Sequence, residues 1–112
     1  MPDPFETAAS VKAMLNPTVE DMIVEVARAY NLEPGDMLGR GRSHSVARAR
    51  QMAIYLLTMS GAEESDITDM LGIDVTTLYY SIGRIVAAQL RGEPIQETAE
   101  LICERLEGNL LT

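Results

Sequence analysis

Residues 65–86 read SDITDMLGIDVTTLYYSIGRIV, and this stretch decides the fold. Ile67 and Leu71 stand four apart, so a helix carries both on one face. Gly72 follows them at a point where the chain must enter a conformation that most side chains resist. Ile73 comes directly after the turn and fits the angle between two helices. Asp74 is a helix cap, and Leu78, Ile82 and Ile85 turn the apolar face of the second helix onto the first. Two helices joined by a tight turn and locked by small and apolar residues make a helix-turn-helix, here over about residues 62–90.

The other side of the second helix then exposes Thr76, Tyr80, Gly83 and Arg84, with Thr77 and Tyr79 at its flanks. In this motif the head of the second helix enters the major groove of a duplex. Threonine hydroxyls bond phosphates or base edges, and a threonine methyl meets a thymine methyl. Thr76, Thr77 and Tyr80 are therefore expected to face the major groove. Asp74 has two sides: it caps the helix, yet it repels phosphate unless it meets a cytosine amino group. The plain alternative is a helical hairpin buried in a core.

Outward from this stretch the whole chain reads as helices. Upstream, Ser43 or Ser45 caps a helix running to about Met59, with Val46, Ala49, Ala53, Leu56 and Leu57 as its core residues, and Ser60-Gly61 ends it. Before it, Asp36-Met37-Leu38-Gly39 reads as a short turn and Glu33-Pro34-Gly35 as turn chemistry. Thr18 caps an earlier helix that carries Met22, Ile23, Val26, Ala27 and Tyr30 on one face and ends near Asn31. A short helix is expected around Phe5–Leu15, within an N-terminal extension over residues 1–16. Downstream, Gly92-Glu93-Pro94 breaks the chain, and a last helix over about Ile95–Leu110 aligns Ile95, Ala99, Ile102, Leu106 and Leu110. The expected fold is all-α, a helix-turn-helix bundle of about five to six helices over residues 17–112, similar to the Trp repressor in kind.

Charge refines the picture. The 112 residues carry a net charge of −8, which taken alone argues against DNA. Its distribution argues otherwise. Residues 1–39 hold two basic and seven acidic side chains, and residues 92–112 hold one basic and five acidic. The middle, 40–91, holds six arginines against five acids, and four of those arginines (Arg40, Arg42, Arg48 and Arg50) lie in an eleven-residue run without an acid. Local field, not net charge, decides whether a phosphate backbone is attracted. Arg outnumbers Lys eight to one, and a guanidinium fork grips phosphate or guanine at two points. The run RGRSHSVARAR, residues 40–50, opens as a loop suited to an A·T-rich minor groove and continues into a helix whose Arg48 and Arg50 are placed for phosphates.

Several classes are excluded at this level. Hydrophobic residues make up 46% of the chain, too many for a disordered tail. The apolar runs are short, so no membrane span is expected, and the first residues lack the form of a secretory signal, which points to the cytoplasm and the nucleoid. Cys103 and His44 are each single, so neither a disulfide nor a metal site is expected, and His44 reads instead as a phosphate contact when protonated. No catalytic set has supporting context, so the chain is not expected to be an enzyme or to hold a cofactor.

Three stretches together carry a resemblance: Arg42-Ser43-His44-Ser45-Val46-Ala47-Arg48-Ala49-Arg50-Gln51-Met52-Ala53, then Ile67-Thr68-Asp69-Met70-Leu71-Gly72, then Asp74-Val75-Thr76-Thr77-Leu78. They resemble the C-terminal DNA-binding domain of the bacterial replication initiator DnaA, over about residues 18–110. The resemblance implies an all-helical domain that holds a duplex in both grooves. By the same resemblance Arg42 is the minor-groove arginine, Arg50 and Gln51 are the pair contacting DNA from the basic helix, and Asp74, Thr76 and Thr77 meet the major groove.

The chain also departs from that pattern. Where the family has Gly-Gly-Arg-Asp-His before its threonines, this sequence has Gly72-Ile73-Asp74-Val75, one residue shorter. Ile73 replaces an arginine, Val75 replaces a base-contacting histidine, and His44 stands where an arginine is common. A different or relaxed target sequence is the expectation, since base contacts specify and phosphate contacts position. No GxxxxGK[ST] stretch occurs, so no nucleotide is expected and the chain reads as a stand-alone relative, a replication or transcription regulator or an accessory of a mobile element. The competing reading is a protein-interaction module that keeps the fold and binds a replication or transcription protein through its acidic helices. A homodimer through the last helix is a further expectation.

The predicted DNA-facing set is thus Arg40, Arg42, His44, Ser45, Arg48, Arg50, Gln51, Asp74, Thr76, Thr77, Tyr80 and Arg84.

Overall fold

The computed structural model describes residues 19–38 and 43–111. The expected helix at Phe5–Leu15, the cap at Thr18, and Arg40 and Arg42 lie outside the described residues. Among those described there are six helices and no strand: α1 Val19–Ala29, α2 Pro34–Leu38, α3 His44–Met59, α4 Glu64–Leu71, α5 Val75–Leu90 and α6 Ile95–Leu111. The expected all-α fold is what the chain adopts.

Each boundary has a local cause. Helix α1 buries Met22, Ile23, Val26 and Ala27 on one face, and it stops where Asn31 turns left-handed at φ 57°. Asn tolerates that region better than most residues, and the Leu32 amide then reaches back 2.8 Å to the Ala27 carbonyl. Helix α2 corrects the reading of residues 33–39 as turns. Pro34 is its first residue, a position where proline's fixed φ suits a helix and its missing N–H costs nothing. The Asp36 carboxylate accepts a hydrogen bond from the Glu33 amide at 3.0 Å, and Met37 is fully buried. Ser43, not Ser45, caps α3: its Oγ accepts from the Val46 amide at 3.2 Å.

Helix α3 is the centre of the bundle, lying chiefly against α5 and α1 and also touching α2 and α4. This explains two core residues that a single-face reading overlooks, Met52 and Ile54, both buried along with Val46, Ala49, Ala53, Leu56 and Leu57. A helix surrounded on several sides has no single apolar stripe. Helix α6 closes the bundle against α1 and α5 through buried Ile95, Ala99, Ile102 and Leu106. The side chain of Leu110 lies outside the described set.

The turn between α4 and α5 is built as its sequence suggests. Gly72 sits at φ 64°, ψ 38° and donates its amide to the Thr68 carbonyl, and the Ile73 amide bonds the same carbonyl at 3.0 Å. Nothing lies within 4 Å of a Cβ built on Gly72, so the requirement here is backbone conformation and not space. Gly72→Ala should therefore lower stability by about 1–2 kcal/mol, the cost of a left-handed residue with a Cβ. Chemical denaturation in urea measures this, and an unchanged midpoint contradicts it.

Candidate nucleic-acid interface

Helices α4 and α5 form the helix-turn-helix. Ile67 and Leu71 from α4 and Leu78 and Ile85 from α5 are buried in the common core. Ile73 is half-buried against it, which is the place read for it in the turn. Ile82 is only half-buried, and its expected share of the inner face is taken by Ser81 and Ala88, both buried.

That seating leaves the other side of α5 to solvent. Thr76, Thr77, Tyr80, Gly83 and Arg84 are all exposed, and Tyr80 is 64% exposed. The threonines are not walled in by the interior. Asp74 caps the helix, its Oδ1 accepting from the Thr77 amide at 2.7 Å. Hydrogen bonds from the Thr77 backbone, and then from its hydroxyl, hold the Asp74 carboxyl below its usual range. An ionised carboxylate therefore sits at the head of α5. It counters the helix dipole, and it disfavours a phosphate there while leaving an acceptor for a base amino group. The cap's stabilisation is present above the unfolded-state pKa of Asp74 and is lost as pH falls through the lower folded-state value.

At the start of α3 the predicted residues separate into two groups. His44 and Ser45 are exposed. Arg48, Arg50 and Gln51 are half-buried, and the two arginines are engaged in the structure itself. The Arg48 Nη2 lies 2.9 Å from Glu93 Oε1 and 3.0 Å from Glu93 Oε2, so it ties α3 to the α5–α6 turn. Its side chain is 17% exposed. Glu93 also accepts from Arg91 at 3.0 Å. Arg91 chiefly, and Arg48 with it, holds the Glu93 carboxyl below its usual range against a smaller effect of burial. Burial raises the nearby Tyr30 phenol, and the Arg48 charge partly offsets this.

Arg50 donates from Nε to the Met37 carbonyl at 2.7 Å. That bond satisfies a carbonyl in the last turn of α2 and anchors α2 on α3. The buried Gln51 Oε1 has no hydrogen-bond partner among the described residues. Spacing alone did not distinguish these anchoring side chains from exposed ones, because their partners lie 13 and 45 residues away in the chain.

One contact beside α5 was not legible in the sequence. Tyr79, on the flank of the helix, donates its hydroxyl to Glu64 Oε1 at the start of α4. A shallow notch lined by Gly61, Ala62, Glu63, Glu64, Ser65, Thr68 and Val75 opens there. No group of three or more metal-ligating side chains occurs among the described residues. No described helix is long and apolar enough to cross a membrane.

Residues 19–85, which include both helices of this unit, match the family described as bacterial dnaA protein helix-turn-helix. The chain belongs to that family. Among curated DnaA relatives, the chromosomal replication initiator protein DnaA of Roseobacter denitrificans is 35% identical over 92 residues, covering 80% of this chain and 20% of the relative. That of Ruegeria pomeroyi is 34% identical over 94 residues, 81% of this chain and 20% of the relative. That of Deinococcus radiodurans is 25% identical over 114 residues, 94% of this chain and 24% of the relative. The chain thus spans about a fifth to a quarter of the length of these DnaA proteins. Val75 is 47% exposed at the head of α5, and Ile73 packs inward.

Proposed function

We propose that this chain binds double-stranded DNA with α5 in the major groove and the arginine loop before α3 at the minor groove and phosphates. Its role is that of a replication or transcription regulator acting at the nucleoid. The observation that carries the reading is the head of α5: one buried line, Leu78 and Ile85, fixes the helix, and hydroxyls on Thr76, Thr77 and Tyr80 stand exposed on its outer side. Membership of the DnaA family supports it, since the named relatives initiate chromosomal replication.

In this reading Thr76, Thr77 and Tyr80 supply hydroxyl donors and acceptors, and the threonine methyls supply apolar contact with thymine. Asp74 orders the helix head and accepts from a cytosine amino group. Arg40, Arg42 and Arg84 supply charge, with Arg42 in the minor groove, and His44 and Ser45 reach phosphates from the first turn of α3. Arg48 and Arg50 hold the α5–α6 turn and α2 to α3, and in this reading Arg50 and Gln51 also contact the duplex. Residues 17–112 are the DNA-binding unit.

Selection of bound duplexes from a random pool tests the reading. An enriched motif is expected, and Thr76→Ala should change the preferred base at one position more than it changes overall affinity. A pool that shows no enrichment and no retained duplex contradicts it.

A second reading is favoured by α6. Glu97, Glu100, Glu104 and Glu107 are all exposed, and at helical spacing they form one acidic row. Leu101, also exposed, lies beside that row. Such a face suits a basic protein partner or a second copy of the chain.

A further inference from the structure

We infer that Glu64 is a base-reading residue, positioned by Tyr79, that selects cytosine at the edge of the surface headed by Thr76. The inference rests on the proposed placement of α5 in the major groove and adds a specificity determinant from the preceding helix.

The geometry begins with α5. At about 100° per residue, Val75 and Tyr79 share one flank of the helix, with Tyr79 toward Gly83 and Thr76, and Val75 between it and the buried line of Leu78 and Ile85. Tyr79 is 54% exposed, yet its hydroxyl is engaged across the helix pair with Glu64 Oε1. Glu64 is the first residue of α4, and it lines the notch beside Val75. The Glu64 carboxylate, though exposed, is thereby tied to the flank of α5. The same bond raises the Tyr79 phenol above its usual range. Among the described residues no hydrogen bond reaches the other carboxylate oxygen, Oε2.

Chemistry then narrows the ligand. A carboxylate brought to a duplex is repelled by phosphates and by every acceptor on a base edge. In the major groove guanine offers N7 and O6, and thymine offers O4; all are acceptors. Only cytosine N4 and adenine N6 present donors. Adenine sets its N7 acceptor beside the amino group, whereas cytosine sets a C–H there. A held, acceptor-only group next to Val75 thus fits cytosine. Tyr79 acts through Glu64 as a positioning residue, by fixing which oxygen faces outward.

The test is selection from a random duplex pool with the native chain, Glu64→Gln and Tyr79→Phe, with circular dichroism to confirm that each is folded. The native chain should enrich cytosine at one position. Glu64→Gln should lose that preference by roughly tenfold and move it toward adenine, which an amide reads through N6 and N7 together. Tyr79→Phe should weaken the cytosine preference at the same position and leave the Thr76-dependent position alone. If Glu64→Gln binds all sequences more tightly and keeps the native motif, Glu64 is a repelling charge only and the inference fails. If an enriched motif appears but neither variant alters it, this inference fails and the proposed function stands. If no form of the chain retains duplex, both fall.

Discussion

Affinity for a mixed-sequence duplex is expected to drop roughly fortyfold when monovalent salt rises from about 50 to about 200 mM. The figure follows from about three phosphate contacts, each contributing about 0.9 to the slope of log affinity against log salt. Arg40, Arg42 and Arg84 are the side chains assigned to them. The sign of the effect is informative because the chain is acidic overall, at −8. Without a local cationic face, salt would screen the repulsion between this protein and DNA, and binding would stay flat or strengthen. A steep fall therefore requires arginines presented together to the backbone. Arg42→Ala and Arg84→Ala should each reduce the slope by about 0.9, and Arg42→Ala should weaken binding most at A·T-rich sites. Fluorescence anisotropy across a salt series measures both. A flat series, with full activity retained by a chain carrying both Arg42→Ala and Arg84→Ala, would transfer the weight to the acidic face of α6 and a protein partner.

The second large effect concerns stability. Leu78→Ala should cost roughly 2–5 kcal/mol, the range for truncating a well-packed leucine. Leu78 is 1% exposed and belongs to the central cluster, and it lies in α5, the principal neighbour of α3. It also stands between Thr77 and Tyr79, so its packing sets the rotation of the helix that presents both. A domain stabilised by about 5–15 kcal/mol would lose a large share of its margin. The urea midpoint should fall steeply, and DNA binding should fall with it. Thr76→Ala is the control: it is exposed, and its stability should stay within about 0.5 kcal/mol of the native chain. A Leu78→Ala midpoint close to native would mean that α5 is not seated by that side chain.

The sequence by itself determined the order of the five longer helices, the positions of α4, α5 and the turn between them, and the outward set on α5. These depend on local chemistry: Asp74 as a cap, Gly72 in a left-handed turn, and apolar residues at helical spacing act within a few residues of one another. It marked residues 33–39 as turns, whereas Pro34–Leu38 form a helix. That outcome depends on burying Met37 against the bundle. The identity of the anchoring residues was likewise decided only by tertiary structure. Arg48 and Arg50 read as DNA ligands in a basic run, and the structure also gives them internal partners, Glu93 for Arg48 and the Met37 carbonyl for Arg50, groups distant along the chain. The same holds for Glu64, whose reach to Tyr79 across fifteen residues exists only once α4 and α5 are packed. Caps and periodicity are short-range and so are written in order along the chain. Which charged side chain remains outward is settled by long-range partners that folding alone brings near.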